Sequence, residues 1–173
     1  MSLIVVDVET DGQVIGKNSM ICFGAVIVDK NLDKTFYGEC KPEDGSTFVP
    51  EALAVSGFSR EQTLQFANPV ETMNNFAKWL SENSIGKPTL ISDNNGFDAS
   101  WINYYFHVYY GSNPFGWSSR RIGDLFCGFM NNPFYNWKRH RKTKHTHNPV
   151  DDAMGNAEAI KCLINKGFNL KLK

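Results

Sequence analysis

Apolar and polar positions alternate in short runs early in the chain and fall at helical spacing later. Ile4 to Thr10 (Ile-Val-Val-Asp-Val-Glu-Thr) has strand length and Val/Ile richness, which predicts a buried central strand. Two glycines and polar residues from Asp11 to Asn18 predict a loop. Met20–Asp29 and Lys34–Lys41 read as two further strands around a Lys30–Asp33 turn, so the first three form an antiparallel meander. Helical signals follow. Pro50–Val55 ends at Gly57, Ser59 and Gln62 form a capping box, and Asn68-Pro69 opens a helix to about Glu82. Val70, Met73, Phe76, Ala77 and Leu80 mark the apolar face of that helix. Thr89–Ser92 is a short strand, and Phe97–Tyr110, apolar nearly all round, predicts a helix sandwiched in the body. Ile122–Met130 is another helix, and Asn132–His147, charged and aperiodic, is a long loop. Asn148–Lys166 is the last helix, with Val150, Ala153, Met154, Ala157, Ile160 and Ile164 inward. Strands first, then helices with a strand among them, predict an α/β domain with one mixed sheet flanked by helices.

Composition narrows the setting. A length of 173 residues suits one domain, 1–173, with a sizeable core. Apolar content of 42% and equal counts of basic and acidic residues, 18 each, describe an ordinary globular chain, so any polyanion must be met by local charge. No apolar run approaches a membrane span, and the N-terminus runs straight into the first strand without signal-peptide character. Cys22, Cys40, Cys127 and Cys162 show no C-x-x-C spacing. A reduced, cytoplasmic protein without a membrane partner is expected.

The chemistry starts at Asp7 and Glu9. Residues two apart on a strand share a face, so the two carboxylates stand side by side. Either they form a solvated rim, or a hard cation such as Mg2+ or Mn2+ holds them together. Asp98, at the junction of the Thr89–Ser92 strand and the next helix, is a helix cap or a third ligand. In His147-Asn148-Pro149-Val150-Asp151-Asp152, Asn148 is the N-cap. His147 and Asp152 then occupy the two positions that ordinarily touch as a hydrophobic staple, so their side chains should meet. A helix start favours the charged form of Asp152, and His147 suits general-base work. Four carboxylates fit two hard cations that promote in-line phosphodiester cleavage.

Asp7-x-Glu9, Asn94-x-x-Phe97-Asp98 and His147-x-Pro149-x-x-Asp152 together resemble the three ordered motifs of the DEDDh 3′–5′ exonucleases. These DnaQ-like enzymes lie within the ribonuclease H-like superfamily, and the resemblance spans about residues 3–166. It implies a central mixed five-stranded sheet, two Mg2+ or Mn2+ ions, and removal of nucleotides from a 3′ end. It also implies Asp7, Glu9, Asp98 and Asp152 as metal ligands and His147 as the base. Asn148 stands where a tyrosine variant of the family would carry Tyr. Three departures touch no ligand. Thr10-Asp11-Gly12 replaces a frequent Thr-Thr-Gly, Ser56-Gly57-Phe58 replaces His-Gly-Ile, and Pro149 replaces Ala. A looser similarity to a small exoribonuclease group of phages and mycobacteria rests on Pro50–Ala54, Ser59–Glu61 and overall size, and it favours RNA.

The expected substrate is a single-stranded 3′ end of RNA or DNA. Asn136–His147 concentrates five Lys or Arg with Trp137 and three His. It is either a solvated loop or a phosphate grip leading into His147, with Arg139 and Arg141 in the grip and Arg120 and Arg121 as extensions. A zinc site from His140, His145 and His147 is a third, weaker reading. Phe58 and Phe97 are candidates to stack on the terminal base, and Thr10, closing the first motif, is a further substrate contact. Asp124 reads as a helix cap. Relatives of this kind resemble homodimers, for which the aromatic Trp101–Tyr110 helix is a candidate contact. The competing functions are a DNA-directed exonuclease, a small-oligonucleotide phosphodiesterase and a non-catalytic nucleic-acid-binding module.

Overall fold

The computed structural model describes residues 1–169. The chain runs β1 (Leu3–Thr10), β2 (Met20–Ile27), β3 (Thr35–Glu39), α1 (Pro50–Val55), α2 (Arg60–Thr63), α3 (Pro69–Asn83) and β4 (Thr89–Ser92). It continues through α4 (Asn95–Tyr109), β5 (Arg120–Arg121), α5 (Ile122–Phe129), a 3-10 turn at Trp137–His140 and α6 (Pro149–Asn165). The sheet order is β3-β2-β1-β4-β5. β1, β2 and β3 pair antiparallel, whereas β4 joins β1 in parallel and β5 joins β4 in parallel. This is the mixed five-stranded sheet of the ribonuclease H-like fold.

Helices cover both faces of the sheet, so its central strands can be apolar on both sides. Every residue of β2 is buried. On one face Ile4, Val6, Val8 and Phe23 pack with Met73 and Phe76 of α3 and Trp101 and Phe106 of α4. On the other, Val5 and Val26 pack with Phe126 of α5 and Ala153, Ala157 and Ile160 of α6. The small residues of α6 bring its axis close to the sheet, which places the start of that helix beside the end of β1.

Cap signals in the sequence become real caps. Asn68 Oδ1 accepts from Val70 N–H, and Asn148 Oδ1 accepts from Val150 and Asp151 N–H. Ser59 and Gln62 form the reciprocal capping box. Several expectations change. Val70 faces solvent because α3 begins its buried stripe at Pro69, Thr72 and Met73. Asp124 is not a cap: it lies in the first turn of α5, exposed and paired with Arg121 at 3.0 Å. The charged stretch 132–147 contains the 3-10 turn, anchored by buried Trp137. In α4, Trp101, Ile102, Tyr105 and Phe106 are wholly buried, leaving Val108 as its exposed large apolar residue, with Tyr110 exposed just past its end. Its aromatic rings belong to the core, not to an outward contact face. All four cysteines are free thiols. Among the described residues, no helix is long and apolar enough to cross a membrane.

Candidate active site

Leu3 and Val5 point into the α6-side core, and the same face of β1 continues through Asp7 and Glu9. The face therefore turns from apolar to acidic where α6 begins. Gly24 lies opposite Asp7 in the β1–β2 register. A Cβ on Gly24 would collide with the backbone of Pro149 and Val150, so the missing side chain lets α6 start against the sheet beside Asp7. A register irregularity between Glu9 and Thr10 ends regular pairing at this point.

Asp98 and Asp152 reach the site by the same local device. Each is the fourth residue of its helix, one turn past an asparagine N-cap, and each is buried. Asp98 is thus not a cap; Asn94 holds that position. Carboxylate oxygens of Asp7, Glu9 and Asp152 lie within 4.8 Å of one another. Asp98 completes the acidic cluster through its field at Asp7 and Glu9.

The electrostatics record the crowding. Burial, then the charges of Asp98, Asp152 and Glu9, push the Asp7 carboxyl well above its usual range, with Arg141 opposing. Burial, then Asp152 and Asp98, raise Glu9 to about 7. Burial also raises Asp98 to about 7, against the acidifying contact of the Ser92 hydroxyl. Such a cluster holds several negative charges at neutral pH only with a positive partner. An all-oxygen donor set of this kind suits hard divalent cations, so the residues fit the metal that the motifs imply.

His147 has φ of 61°, in the left-handed region that non-glycine residues seldom occupy. That turn sends its backbone N–H to Asp152 Oδ2 at 2.9 Å and brings its ring Nδ1 to 3.6 Å from Glu9 Oε1. The two staple positions do meet, but through the His147 backbone; its ring, half exposed, leans toward Glu9. The ring that bonds Asp152 belongs to His145, with Nδ1 2.8 Å from Oδ1. His140 lies elsewhere, bonded to the Tyr135 hydroxyl and stacked on Phe126, so the three-histidine zinc set does not assemble. The metal-sized group that does form at this spot is His145, His147 and Asp152.

The basic loop is not simply solvated. Glu158 of α6 accepts the backbone N–H groups of Lys142 and Thr143, and Lys138 pairs with Asp93 at 2.7 Å. Arg141, nearly buried, donates from Nη2 to Asp152 Oδ1 at 2.8 Å, and Gly155 supplies the space its guanidinium fills. Arg139 stacks over the Tyr135 ring, 4.7 Å from its centroid, and bonds its hydroxyl. Arg141 is thus turned inward onto Asp152, whereas Arg139 remains exposed. Lys142 and Lys144 are exposed and have no acidic partner among the described residues, and they line a cavity of about 340 Å³ with Lys138, Arg141 and His145. Thr10 is buried and its hydroxyl donates to the Gly12 carbonyl. Phe58 packs edge-on against Phe66 and Phe97 edge-on against Trp101; each ring remains partly accessible.

Sequence reasoning missed Arg141 and His145 as partners of Asp152. It also missed Asp11, which is fully buried, accepts from Ser19 N–H at 2.6 Å and pairs with Arg60 at 2.7 Å. The Thr10-Asp11-Gly12 departure was the available signal, because an acid substituted into a buried motif needs a partner.

A model of the Exonuclease (RNase T) family matches residues 4–160. The 3′-5′ DNA exonuclease Cap18 of Escherichia coli is 35% identical over 178 residues, covering 93% of this chain and 90% of its own. Among solved structures, the nuclease domain of 3′hExo, a DEDDh family member bound to rAMP, aligns with a TM-score of 0.79. That alignment covers 99% of this chain and 96% of the other at 14% identity. E. coli exonuclease I in complex with a dT13 oligonucleotide gives 0.72 over 94% of this chain and 40% of its own, at 19% identity. At such identities these structures speak for the fold alone, while the family match and the 35% identical relative carry the lineage: the chain belongs to the DEDDh-type, DnaQ-like 3′–5′ exonucleases.

Proposed function

We propose that the protein is a divalent-metal-dependent exonuclease that hydrolyses the terminal phosphodiester at single-stranded 3′ ends. The supporting observation is the convergence of Asp7, Glu9 and Asp152 within 4.8 Å, with Asp98 in their field. These four carboxylates would hold two ions, Mg2+ or Mn2+. Bound there, such ions acidify an attacking water and stabilise the leaving 3′ oxygen. His147, at the exposed lip of the cage, accepts the proton of that water. Lys142 and Lys144, with exposed Arg139, supply the phosphate grip, because Arg141 is committed to Asp152. Phe58 and Phe97 retain enough exposed ring to stack on the terminal base.

DNA is the leading substrate, on the activity of the 35% identical E. coli relative, a 3′-5′ DNA exonuclease. RNA is the second reading, favoured by the looser sequence similarity around Pro50–Glu61. The test offers 3′-labelled DNA and RNA, single- and double-stranded, with Mg2+, Mn2+ or EDTA. Stepwise loss from the 3′ end, abolished by EDTA and by Asp7→Ala, is expected. Cleavage that persists in EDTA removes the metal mechanism, and indifference to Asp7→Ala removes the site. A preference for RNA over DNA reverses the order of the two substrates.

A further inference from the structure

α4 presents Asn95, Ala99 and Asn103 to the loop 113–119, and a cleft of about 270 Å³ separates them. Its walls carry amides and hydroxyls but no charged side chain, over an apolar floor of Leu90 and Phe115. Asn95 Nδ2 donates to Ser119 Oγ, while Asn95 Oδ1 is buried without a donor. At the mouth stands Trp117, 91% exposed, one face against His107 at 5.9 Å between centroids. A ring this exposed is open to stacking by a planar partner.

The volume lies just under the roughly 300–1,000 Å³ of pockets for drug-sized ligands, so the occupant is a small planar ring system. Uncharged walls exclude a bare phosphate. The lining amide of Asn103 and hydroxyls of Ser100 and Ser118 can pair with the donors and acceptors on a base edge, and a free indole face offers stacking. Asn95 sits three residues before Asp98 on α4, so that end of the cleft lies within one helical turn of a cage carboxylate.

We infer that the cleft between α4 and the 113–119 loop, with Trp117 at its mouth, is a second nucleobase site for an internal base of the strand whose 3′ end occupies the cage. This rests on the exonuclease reading of the neighbouring carboxylates. It makes substrate length a determinant of binding, because a dinucleotide cannot fill both places.

Two measurements test it. In EDTA, where no cleavage occurs, a single strand of about ten nucleotides should quench tryptophan emission saturably. Trp117→Phe should lose that quenching, and Asn103→Leu, which fills the cleft, should weaken it. With metal, Trp117→Ala should raise KM about tenfold for the long strand and leave dinucleotide hydrolysis unchanged. Equal quenching in wild type and Trp117→Phe overturns the site. Equal effects of Trp117→Ala on long and short substrates overturn it as well. Saturable quenching by AMP or dAMP as tight as that by the strand overturns the assignment to an internal base. Absence of hydrolysis for every substrate would instead defeat the exonuclease reading, while the quenching arm still decides the cleft.

Discussion

Arg141 Nη2 donates to Asp152 Oδ1 at 2.8 Å, with the guanidinium nearly buried and the carboxylate wholly so. His145 Nδ1 and Thr146 N–H share that oxygen, and His147 N–H takes Oδ2. Oδ1 is therefore saturated by three donors, and Oδ2 keeps room for a further partner. The basic loop thus clamps one oxygen of the acid that closes the cage and leaves the other open. Arg141 also lowers the proton affinity of Asp7.

Removing that cation leaves crowded carboxylates uncompensated. Arg141→Met should destabilise the metal-free protein by about 3 kcal/mol, the low end for breaking a buried pair, since His145 and two backbone donors remain. Urea unfolding in EDTA measures it. Mn2+ should raise the variant's Tm more than the wild type's, because bound cations replace the lost charge. An unchanged urea midpoint would mean that the pair contributes nothing.

Gly24 is a point where fold and site share one constraint. Gly24→Ala places a methyl group against the Pro149 backbone, which cannot swing aside as a flexible side chain could. α6 must shift, costing roughly 1–3 kcal/mol. A displacement of about 1 Å at Asp152 is enough for a loss of about a hundredfold in turnover. Activity should therefore fall much more than Tm, and a variant with normal kcat would show that α6 need not touch β2.

The acidic cluster predicts a pH dependence of defined sign. Glu9 and Asp98, raised from ordinary values of 4.5 and 3.8 to about 7, keep protons in the native state that the unfolded chain has already released. Below about pH 4 their stabilising contribution is fully present, and it is lost as pH rises through about 7. Metal-free wild type should lose Tm from about pH 5 to about pH 8. Asp7→Asn, with one charge fewer in the cluster, should flatten that slope. Mn2+ should restore the wild-type Tm at the alkaline end, since metal binding requires the charged carboxylates. Thermal scans across pH, with and without EDTA, decide the matter.

His147 separates base from ligand. His147→Ala should lower kcat by about 10²–10⁴-fold while leaving calorimetric Mn2+ affinity close to that of wild type. Loss of metal binding in that variant would instead place the imidazole in the coordination shell.

Most of the architecture was legible because local signals agreed with the final packing. Asn68-Pro69, Ser59 with Gln62 and Asn148-Pro149 each fixed a helix start, and β1 and β2 are apolar because both faces are covered. β5 was not legible: Arg120 and Arg121 are both exposed and carry no pattern. Their strand exists only through parallel pairing with Ile91 and Ser92. The four carboxylates and His147 were legible as motifs. Arg141 was not distinguishable from its basic neighbours, since a run of cations looks alike whether it faces solvent or an acid eleven positions ahead. Asp11 shows the same limit. Its partner, Arg60, lies forty-nine residues away, and only folding reveals that the departure from the family's threonine is balanced by a cation.

The central claim is that Asp7, Glu9, Asp98 and Asp152 form one cage for paired divalent cations. Titrating the protein with Mn2+ in a calorimeter at about pH 8, above the values of about 7 to which Glu9 and Asp98 are raised, tests it without reference to substrate. About two ions per chain should bind to the wild type, with binding severely weakened in Asp7→Ala. No binding to the wild type, or equal binding to wild type and Asp7→Ala, would contradict the account.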